Sequence, residues 1–185
     1  MIRNFLIALV LPFIKLLSMI FYDKKYLLGR WYTDSNQGWK WVLTGIWYQK
    51  ILGFNREIPF PICPFTIVSN YNNIHFHPDN LDNFQSPGCY LQCSRAHIYI
   101  GHGTYIAPNV GIITANHDPY NLDKYLEAKD VIIGDNCWIG MNSVILPGVT
   151  IGNQTIVAAG SVVSKSFVNG KCIVGGVPAS LIKEL

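Results

Sequence analysis

Branched aliphatic residues recur at intervals of six through the C-terminal half of this 185-residue chain. A period of six fits neither a helix nor an ordinary strand. It is typical of a parallel β-helix, in which each hexapeptide forms one flat face of a triangular coil. The period predicts an all-β core in which these residues point inward and stack from turn to turn. The residues of this aliphatic ladder are Ile100, Ile106, Ile112, Ile133, Ile139, Ile145, Ile151, Val157 and Val163.

The extent of the ladder divides the chain into three predicted parts. Residues 1–56 are expected to form a helical, aromatic-rich extension. Residues 57–96 contain several prolines, lose the six-residue period, and are interpreted as an irregular linker with an incomplete first coil. Residues 97–185 form the predicted β-helix, with a loop at 114–130 and a C-terminal tail. Near the corners, Asn tolerates left-handed backbone angles, so tight turns are expected at Asn136, Asn142 and Asn153.

The N-terminal segment differs from the rest in charge and in aromatic content. Residues 1–50 contain seven Lys or Arg against two Asp, whereas residues 51–185 contain seven against nine acidic residues. An apolar stretch at 5–22, interrupted by Pro12 and Lys15, precedes four tryptophans. Trp and Tyr beside basic residues favour the headgroup level of a bilayer. We expect residues 1–50 to contact a membrane surface; a true span and packing against the protein itself remain alternatives.

Two further properties limit the class of protein. The coil shows no basic patch interleaved with stacking aromatics, so nucleic acid is not an expected partner. Five cysteines cannot form a complete disulfide framework within one chain, and reduced thiols in a cytosolic setting are the simplest interpretation.

The gap in the ladder contains the strongest candidate for chemistry. Ile112 and Ile133 are 21 residues apart, three more than three hexapeptides, so the intervening polar stretch must leave the stack. Loops of this kind concentrate binding and catalysis. His117 lies at the start of the loop, between Asn116 and Asp118, and a positioned neutral imidazole can accept a proton from an attacking hydroxyl or amine. A loop histidine without a chemical role remains the alternative.

The C-terminal half of the chain resembles the hexapeptide-repeat acyltransferases of the left-handed parallel β-helix superfamily. The stretches that carry the resemblance are IYIGHGTYIAPNVGIITANHD, VIIGDNCWIGMNSVILPGVTIGNQTIVAAGSVVSKS and IVGGVPASLIKEL. The resemblance is greatest to O-acetyltransferases of the galactoside, maltose and surface-polysaccharide type. It implies a left-handed coil, a homotrimer, and acetyl-CoA in the groove between neighbouring coils.

The resemblance also implies roles for individual residues. His117 matches the general base of a direct transfer without an acyl-enzyme, and Asn116, Asp118 and Trp138 match positions near the acceptor. A backbone N–H, for which Gly140 is a candidate, is expected to stabilise charge on the thioester oxygen.

A second set of residues matches the CoA groove of the family. In this set the Ala159 backbone is expected to bind the pantetheine amides, and Lys165 and Lys183 to face the phosphates. Ser180 departs from the basic residue that many relatives have there, and Pro87 and Arg95 fall near the acceptor-binding positions of sugar-specific relatives. The matching cofactor residues are Gly140, Met141, Ala159, Ser164, Lys165 and Lys183.

These features together favour an enzyme that moves an acetyl group from acetyl-CoA to a sugar hydroxyl. A surface polysaccharide or glycolipid acceptor at the inner face of the cell membrane is expected, with no metal cofactor. N-acetyl transfer to an amino sugar and a non-catalytic scaffold are alternatives. A γ-class carbonic anhydrase is a more distant one, and would need His97 and His102 to converge with His75 or His77 on one metal.

Overall fold

The computed structural model describes residues 2–185, and it describes side chains from Leu11 onward. The chain divides into two compact units, Met1–Pro64 and Phe65–Leu185. We call them the N-terminal unit and the coil unit. This division falls inside the segment 57–96, which the sequence assigned to a linker and an incomplete first coil.

Helices make up most of the N-terminal unit. Successive helices are α1 (Ile2–Phe21), α2 (Arg30–Thr33) and α3 (Gln37–Gly45), with a 3-10 turn at Lys24–Tyr26 and a π-helix at Ile46–Ile51 that continues α3. A small core holds them together, because one side of α1 packs against α3. Its buried residues are Ile14, Tyr22, Leu27 and Val42.

A buried glutamine ties the π-helix to the chain that follows it. The Gln49 side-chain amide donates to the carbonyls of Asn55 and Phe60, both at 3.2 Å, and its oxygen accepts from Tyr22 Oη and the Ile62 N–H, at 3.0 and 3.1 Å. Since a buried amide is costly when unpaired, these four bonds stabilise one conformation of residues 55–62. In the part of the chain that the structure describes, no helix combines the length and apolarity needed to cross a bilayer.

Short strands build the coil unit, and most of them pair in parallel. In chain order they are β1 (Ile67–Val68), β2 (Ile74–Phe76), β3 (Tyr90–Gln92), β4 (Ile98–Ile100), β5 (Tyr105–Ile106), β6 (Gly111–Ile113), β7 (His117–Asp118), β8 (Asn121–Tyr125), β9 (Val131–Ile133), β10 (Trp138–Ile139), β11 (Val144–Ile145), β12 (Thr150–Ile151), β13 (Ile156–Val157), β14 (Val162–Val163), β15 (Cys172–Gly176) and β16 (Ala179–Glu184).

Three parallel sheets form the three faces of the coil. The first face has the order β1-β3-β6-β11-β14, the second β2-β4-β9-β12, and the third β5-β10-β13-β15, with β16 added antiparallel at its end. Successive strands of the chain visit the faces in turn, so each residue pairs with one a full turn away. The architecture is a parallel β-helix and fits the left-handed form that the resemblance implies.

The aliphatic ladder lies inside the coil, as predicted. All nine of its residues are buried, and the most accessible, Ile106, is 5% exposed. Burying one such side chain contributes about 1.5–3 kcal/mol. Because each ladder residue stacks on its equivalents in neighbouring turns, the hexapeptide period is itself the packing pattern of the core.

The tight turns follow a regular rule. The third residue after seven of the nine ladder positions adopts a positive φ between 54° and 79°; the exceptions follow Ile112, where the hairpin leaves the coil, and Val163. Asn136 and Asn142 are among these residues. The tight turn predicted at Asn153 is also present, but there the positive φ of 59° falls on the next residue, Gln154. The Asn153 side chain instead accepts the Asp135 N–H at 2.8 Å, one turn away. Residues in this turn conformation are Gly103, Asn109, Asn136, Asn142, Gly148, Gln154 and Gly160.

The coil starts further upstream than the six-residue period shows. Strands β1 to β3 already pair with the turn above them. A 3-10 helix, Pro78–Gln85, takes the place of a strand on the third face, and its Leu81 and Phe84 fill the core. Asn83 replaces the missing strand pairing: its amide donates to Thr104 O and its oxygen accepts the Ile106 N–H, both at 2.8 Å. The helix breaks the period, which is why the sequence alone suggested an incomplete coil.

All five cysteines are unpaired, and four of them are buried. Burial raises the pKa of the Cys93 and Cys137 thiols. A raised pKa keeps these groups protonated and poorly nucleophilic, so they serve as small packing residues.

Candidate active site

The loop at 114–130 is an ordered hairpin that leaves the coil and returns to it at one place. Strands β7 and β8 pair antiparallel. At the base, the Lys129 N–H donates to Thr114 O at 2.8 Å and the Leu126 N–H donates to Asn116 O at 2.9 Å. Because the two ends are bonded to each other, the hairpin replaces the corner between the first and second faces without breaking the stack.

Gln92 fixes the start of the hairpin to the turn below. Its side-chain oxygen accepts the N–H groups of Thr114 and Ala115, at 2.9 and 3.1 Å. Its backbone oxygen also accepts from the Thr114 hydroxyl at 2.9 Å. Thr114 and Ala115 are buried. Together with the bonds to Gln92, this burial fixes the backbone that leads into Asn116 and His117.

A backbone carbonyl determines which nitrogen of His117 can act as a base. His117 Nδ1 lies 2.6 Å from Leu122 O. A carbonyl oxygen can only accept, so Nδ1 carries the proton and the neutral ring presents the Nε2 lone pair. The side chain is exposed. An exposed imidazole with its donor nitrogen occupied is suited to accept a proton from a bound molecule.

Two side chains support the imidazole from the side. The Tyr125 ring packs on His117 with a centroid distance of 4.3 Å, and the Arg95 guanidinium lies 4.0 Å from the Tyr125 centroid. A cation over an aromatic face is favourable. Arg95 therefore contacts Tyr125, which in turn contacts His117. The resemblance places Arg95 near the acceptor-binding positions of sugar-specific relatives. Neither Tyr125 nor Gln92 was predicted, because Tyr125 meets His117 only in the folded hairpin and Gln92 acts between neighbouring turns.

The two neighbours of His117 have structural contacts of their own. Asn116 supplies the carbonyl at the base of the hairpin. The Asp118 carboxylate accepts the Tyr120 N–H at 2.8 Å and so shapes the hairpin turn. Contact of Asn116 and Asp118 with an acceptor stays a prediction.

Four of the predicted residues lie together, as a shared site requires: Trp138, Gly140, Met141 and Ala159. They line one apolar groove of about 360 Å³ on the third face and the corner that leads from it to the first face. Trp138 points outward and is 55% exposed. A Cβ on Gly140 would stand 2.6 Å from Ala159 N, so only glycine permits the turns to approach this closely.

Backbone groups in the groove differ in their freedom to bind a ligand. The Gly140 N–H donates to Val157 O at 2.9 Å, so it is committed to the coil and the expectation that it stabilises an oxyanion is wrong. Among the described residues, neither the N–H nor the carbonyl of Ala159 makes a hydrogen bond. Both groups are available to an amide-bearing ligand, which agrees with the expected role of Ala159.

The remaining predicted residues are spread over other surfaces. Ser164 and Lys165 are exposed at the corner between the first and second faces, above the hairpin, where Lys165 Nζ lies 5.7 Å from the Phe167 ring centroid. Lys183 is exposed in β16 at the end of the third face. Ser180, the departure from the family, is exposed in the same strand.

Within one chain, the His117 hairpin and the Trp138 groove belong to different corners of the triangle. The hairpin joins β6 of the first face to β9 of the second, whereas the groove flanks the connection from β10 of the third face to β11 of the first. A triangular coil separates these corners by the width of a face.

The histidines that a carbonic anhydrase would need do not converge. His97 Nδ1 lies 2.9 Å from His75 Nε2, whereas His102 Nε2 lies 3.3 Å from an Asp79 oxygen. In the described chain, three potential metal ligands come together only at His77, Asp79 and His102. This is not the three-histidine set of that class.

Comparisons with known proteins agree with the repeat. Residues 130–165 match the family described as bacterial transferase hexapeptide (six repeats). The galactoside O-acetyltransferase of Escherichia coli K12 is 38% identical over 91 residues, covering 48% of this chain and 44% of that protein. WbbJ of the same organism, whose name assigns it provisionally to lipopolysaccharide biosynthesis as an O-acetyl transferase, is 36% identical over 115 residues, covering 56% and 58%.

One similar solved structure is a maltose O-acetyltransferase from Clostridium difficile 630. It is 37% identical, with a TM-score of 0.48 and 52% coverage of each chain. The chain spans about half the length of the curated relatives that it matches. The predicted resemblance to hexapeptide-repeat transferases is confirmed as a similarity, which includes the family match at residues 130–165 and extends over about half of the chain.

Proposed function

We propose that this protein transfers an acetyl group from acetyl-CoA to a hydroxyl group of a sugar, with His117 as the general base. The observation that carries the proposal is the 2.6 Å contact between His117 Nδ1 and Leu122 O, which leaves Nε2 as the proton acceptor. The hexapeptide repeat and the sequence similarity to a galactoside O-acetyltransferase support the choice of reaction.

The proposed step needs no acyl-enzyme. The sugar oxygen attacks the thioester carbon while His117 Nε2 removes its proton; the carbon–sulfur bond then breaks, and the imidazolium returns the proton to the leaving thiolate. Base catalysis of this kind contributes about 10²–10⁴ in rate. The Leu122 carbonyl stabilises the imidazolium, since it accepts the Nδ1 proton throughout.

The proposed site lies between subunits of a homotrimer. His117 and Lys165 share one corner of the coil, and the groove with Trp138, Met141 and Ala159 flanks another. A neighbouring copy would bring them together, with the pantetheine amides on the Ala159 backbone and Lys165 and Lys183 near the phosphates. Arg95, held over Tyr125, would face an acceptor with anionic groups, such as a surface polysaccharide or glycolipid.

The experiment that tests the proposal measures thiol release from acetyl-CoA across neutral, anionic and amino sugars and lipid-linked glycans. We expect release with a hydroxyl acceptor in the wild type and a loss of at least a hundredfold in His117→Ala. His75→Ala, which removes an exposed histidine elsewhere, is the control and should keep the activity. Release only with amino sugars would favour N-acetylation. The absence of release with every acceptor would contradict the proposal that the protein is an acetyltransferase.

We also propose that the N-terminal unit holds the protein on the inner face of the cell membrane. Its α1 is apolar on both sides: Ile14 is buried, whereas Phe13, Leu16 and Ile20 are each at least 59% exposed. The residues after α3 add further exposed apolar side chains beside Lys and Arg. An exposed apolar surface with basic neighbours suits an anionic bilayer. These further side chains are Trp47, Ile51, Leu52 and Phe54.

Flotation of the full chain with vesicles of phosphatidylglycerol and phosphatidylcholine tests this second proposal. The wild type should float with anionic vesicles, and Leu16→Glu with Ile20→Glu should remain at the bottom because two charges replace the apolar contact. Leu181→Glu, at an exposed position of the coil unit, is the matched control and should float. Wild-type protein that does not float would overturn the proposal.

A further inference from the structure

Three potential metal ligands meet at the corner between the second and third faces, away from the His117 hairpin. Asp79 Oδ2 lies 3.5 Å from His77 Nδ1 and 3.3 Å from His102 Nε2. One ligand atom from each residue lies within 4.8 Å of the other two. Two imidazoles and a carboxylate are a donor set that binds borderline divalent metal ions.

The spacing of these atoms agrees with tetrahedral coordination. Zinc binds imidazole nitrogen and carboxylate oxygen at about 2.0–2.2 Å, so two ligand atoms of a tetrahedral site stand about 3.4 Å apart. The two distances to Asp79 Oδ2 already have this value. Only the separation of the two imidazole nitrogens, which is at most 4.8 Å, would need to adjust.

The backbone that carries these ligands is fixed by a buried asparagine. Asn80, which is 1% exposed, donates to Gly101 O at 2.7 Å and accepts the Gly103 N–H at 3.0 Å, so it bridges both sides of His102. Asp135 in the next turn accepts the His102 N–H at 2.7 Å. Because Asn80 adjoins Asp79, its side chain fixes the start of the 3-10 helix relative to the turn that contains His102.

The protonation of His77 and the solvent exposure of the two histidines also favour metal binding. His77 Nδ1 accepts the Asp79 N–H at 3.2 Å, so this nitrogen presents a lone pair, and a metal would take over that long hydrogen bond. The His77 and His102 side chains are more than half exposed, whereas Asp79 is 22% exposed. An ion can therefore enter from solvent, with the fourth coordination position left to water.

We propose that His77, Asp79 and His102 bind one divalent transition-metal ion of the Zn²⁺ type. The ion joins the start of the 3-10 helix Pro78–Gln85 to the turn that follows β4, and so clamps the irregular first turn of the coil. It takes no part in acetyl transfer, and the proposal does not depend on that function.

The second histidine pair supplies a matched control. His75 and His97 are also in contact across neighbouring strands of the second face, at 2.9 Å, but their ring contacts are with each other and with Tyr99. This pair provides two imidazoles without a carboxylate. Removing one histidine from it changes the histidine count equally but leaves the proposed site intact.

The test titrates the metal-free full chain with Zn²⁺ by calorimetry, and with Co²⁺ by visible absorption. We expect one ion per chain, visible Co²⁺ bands of a four-coordinate site, and a melting temperature that rises with Zn²⁺. His102→Ala and Asp79→Asn should each weaken binding about tenfold or more, and should abolish the rise in melting temperature. His97→Gln should change neither.

Two results would overturn the proposal. One is wild-type protein with no saturable Zn²⁺ binding; the other is a loss in His97→Gln equal to that in His102→Ala, which would indicate non-specific binding by surface histidines. If His102→Ala folds poorly, Asp79→Asn provides the decision, since it keeps the shape of the side chain and removes only the charge.

Discussion

The turns of the coil and the hairpin at 114–130 are held together by different forces. In the turns, aliphatic side chains are fully buried and each strand inside a face pairs with the strands above and below. In the hairpin, most side chains are exposed, and the fixed points are hydrogen bonds at its base and the Gln92 side chain. Stability therefore resides in the stack, and the candidate chemistry resides in a segment that contributes little to it.

This separation explains how a repetitive fold can carry one reactive group. The hairpin lies outside the stack, so its residues can change without disturbing the ladder. Variants in the two regions should then differ in kind: those in the hairpin should change the rate, and those in the turns should change the free energy of unfolding.

The largest effect is expected from the hairpin. His117→Ala should lower the rate of acetyl transfer about 10²–10⁴-fold, since no other group takes the proton. Its free energy of unfolding should stay within about 0.5 kcal/mol of the wild type, because the side chain is exposed. Rate measurements and urea unfolding on the same preparation test both. A large loss of stability would contradict the separation.

The next effect is expected in the stack. Ile145→Ala removes a fully buried ladder residue and should cost about 2–5 kcal/mol of unfolding free energy. Its neighbour Val144 is only half-buried, and Val144→Ala is the matched control with a smaller loss. Urea titration followed by circular dichroism measures both. Equal losses would show that the ladder is not the main source of stability.

Gln92 joins the two regions, so its removal should affect both. Gln92→Leu leaves the buried Ala115 N–H without its acceptor, which costs about 1–3 kcal/mol. Freeing the hairpin should also lower the turnover rate about tenfold, because the base loses its position. Gln92→Glu keeps the acceptor oxygen and should recover most of the rate. A Leu variant that loses stability but keeps its turnover would show that Gln92 does not position His117.

The smallest effect concerns the turn position after the ladder. Gln154 adopts φ 59°, where its equivalents are Asn or Gly. Gln154→Asn should raise the free energy of unfolding by about 0.5 kcal/mol, because Asn tolerates left-handed angles better. Asn142→Gln should lower it by a similar amount. Thermal unfolding of the two variants checks the opposite signs.

The ladder shows how much of the fold could be predicted. The burial of each ladder residue was predicted correctly, because the sequence period and the packing pattern coincide in a β-helix. The first turn was not predicted in detail, because the 3-10 helix with Leu81 and Phe84 fills the core without the period. In the turn of Asn153 and Gln154 the left-handed residue is Gln154, because that position is set by its distance from Ile151 and not by residue type.

A residue of the candidate site could be predicted only where the chemistry of its side chain was enough to indicate its role. His117 is recognisable because an imidazole in an ejected loop suggests proton transfer. Gly140 was misjudged as a donor because the coil uses its N–H, which no single sequence reveals. Gln92 acts through contacts between turns and Tyr125 through a contact across the hairpin. The proposed metal ligands His77 and Asp79 meet His102 only after the coil closes.

We propose that His117 of one subunit acts on acetyl-CoA bound at the Trp138 groove of another. Mixing His117→Ala with Ala159→Trp, in which the groove is blocked, tests it directly. Each variant alone should be inactive, but random mixed trimers should regain about a quarter of the wild-type activity, because a quarter of their interfaces combine an intact base with an intact groove. Mixed trimers that form and remain inactive would contradict the claim.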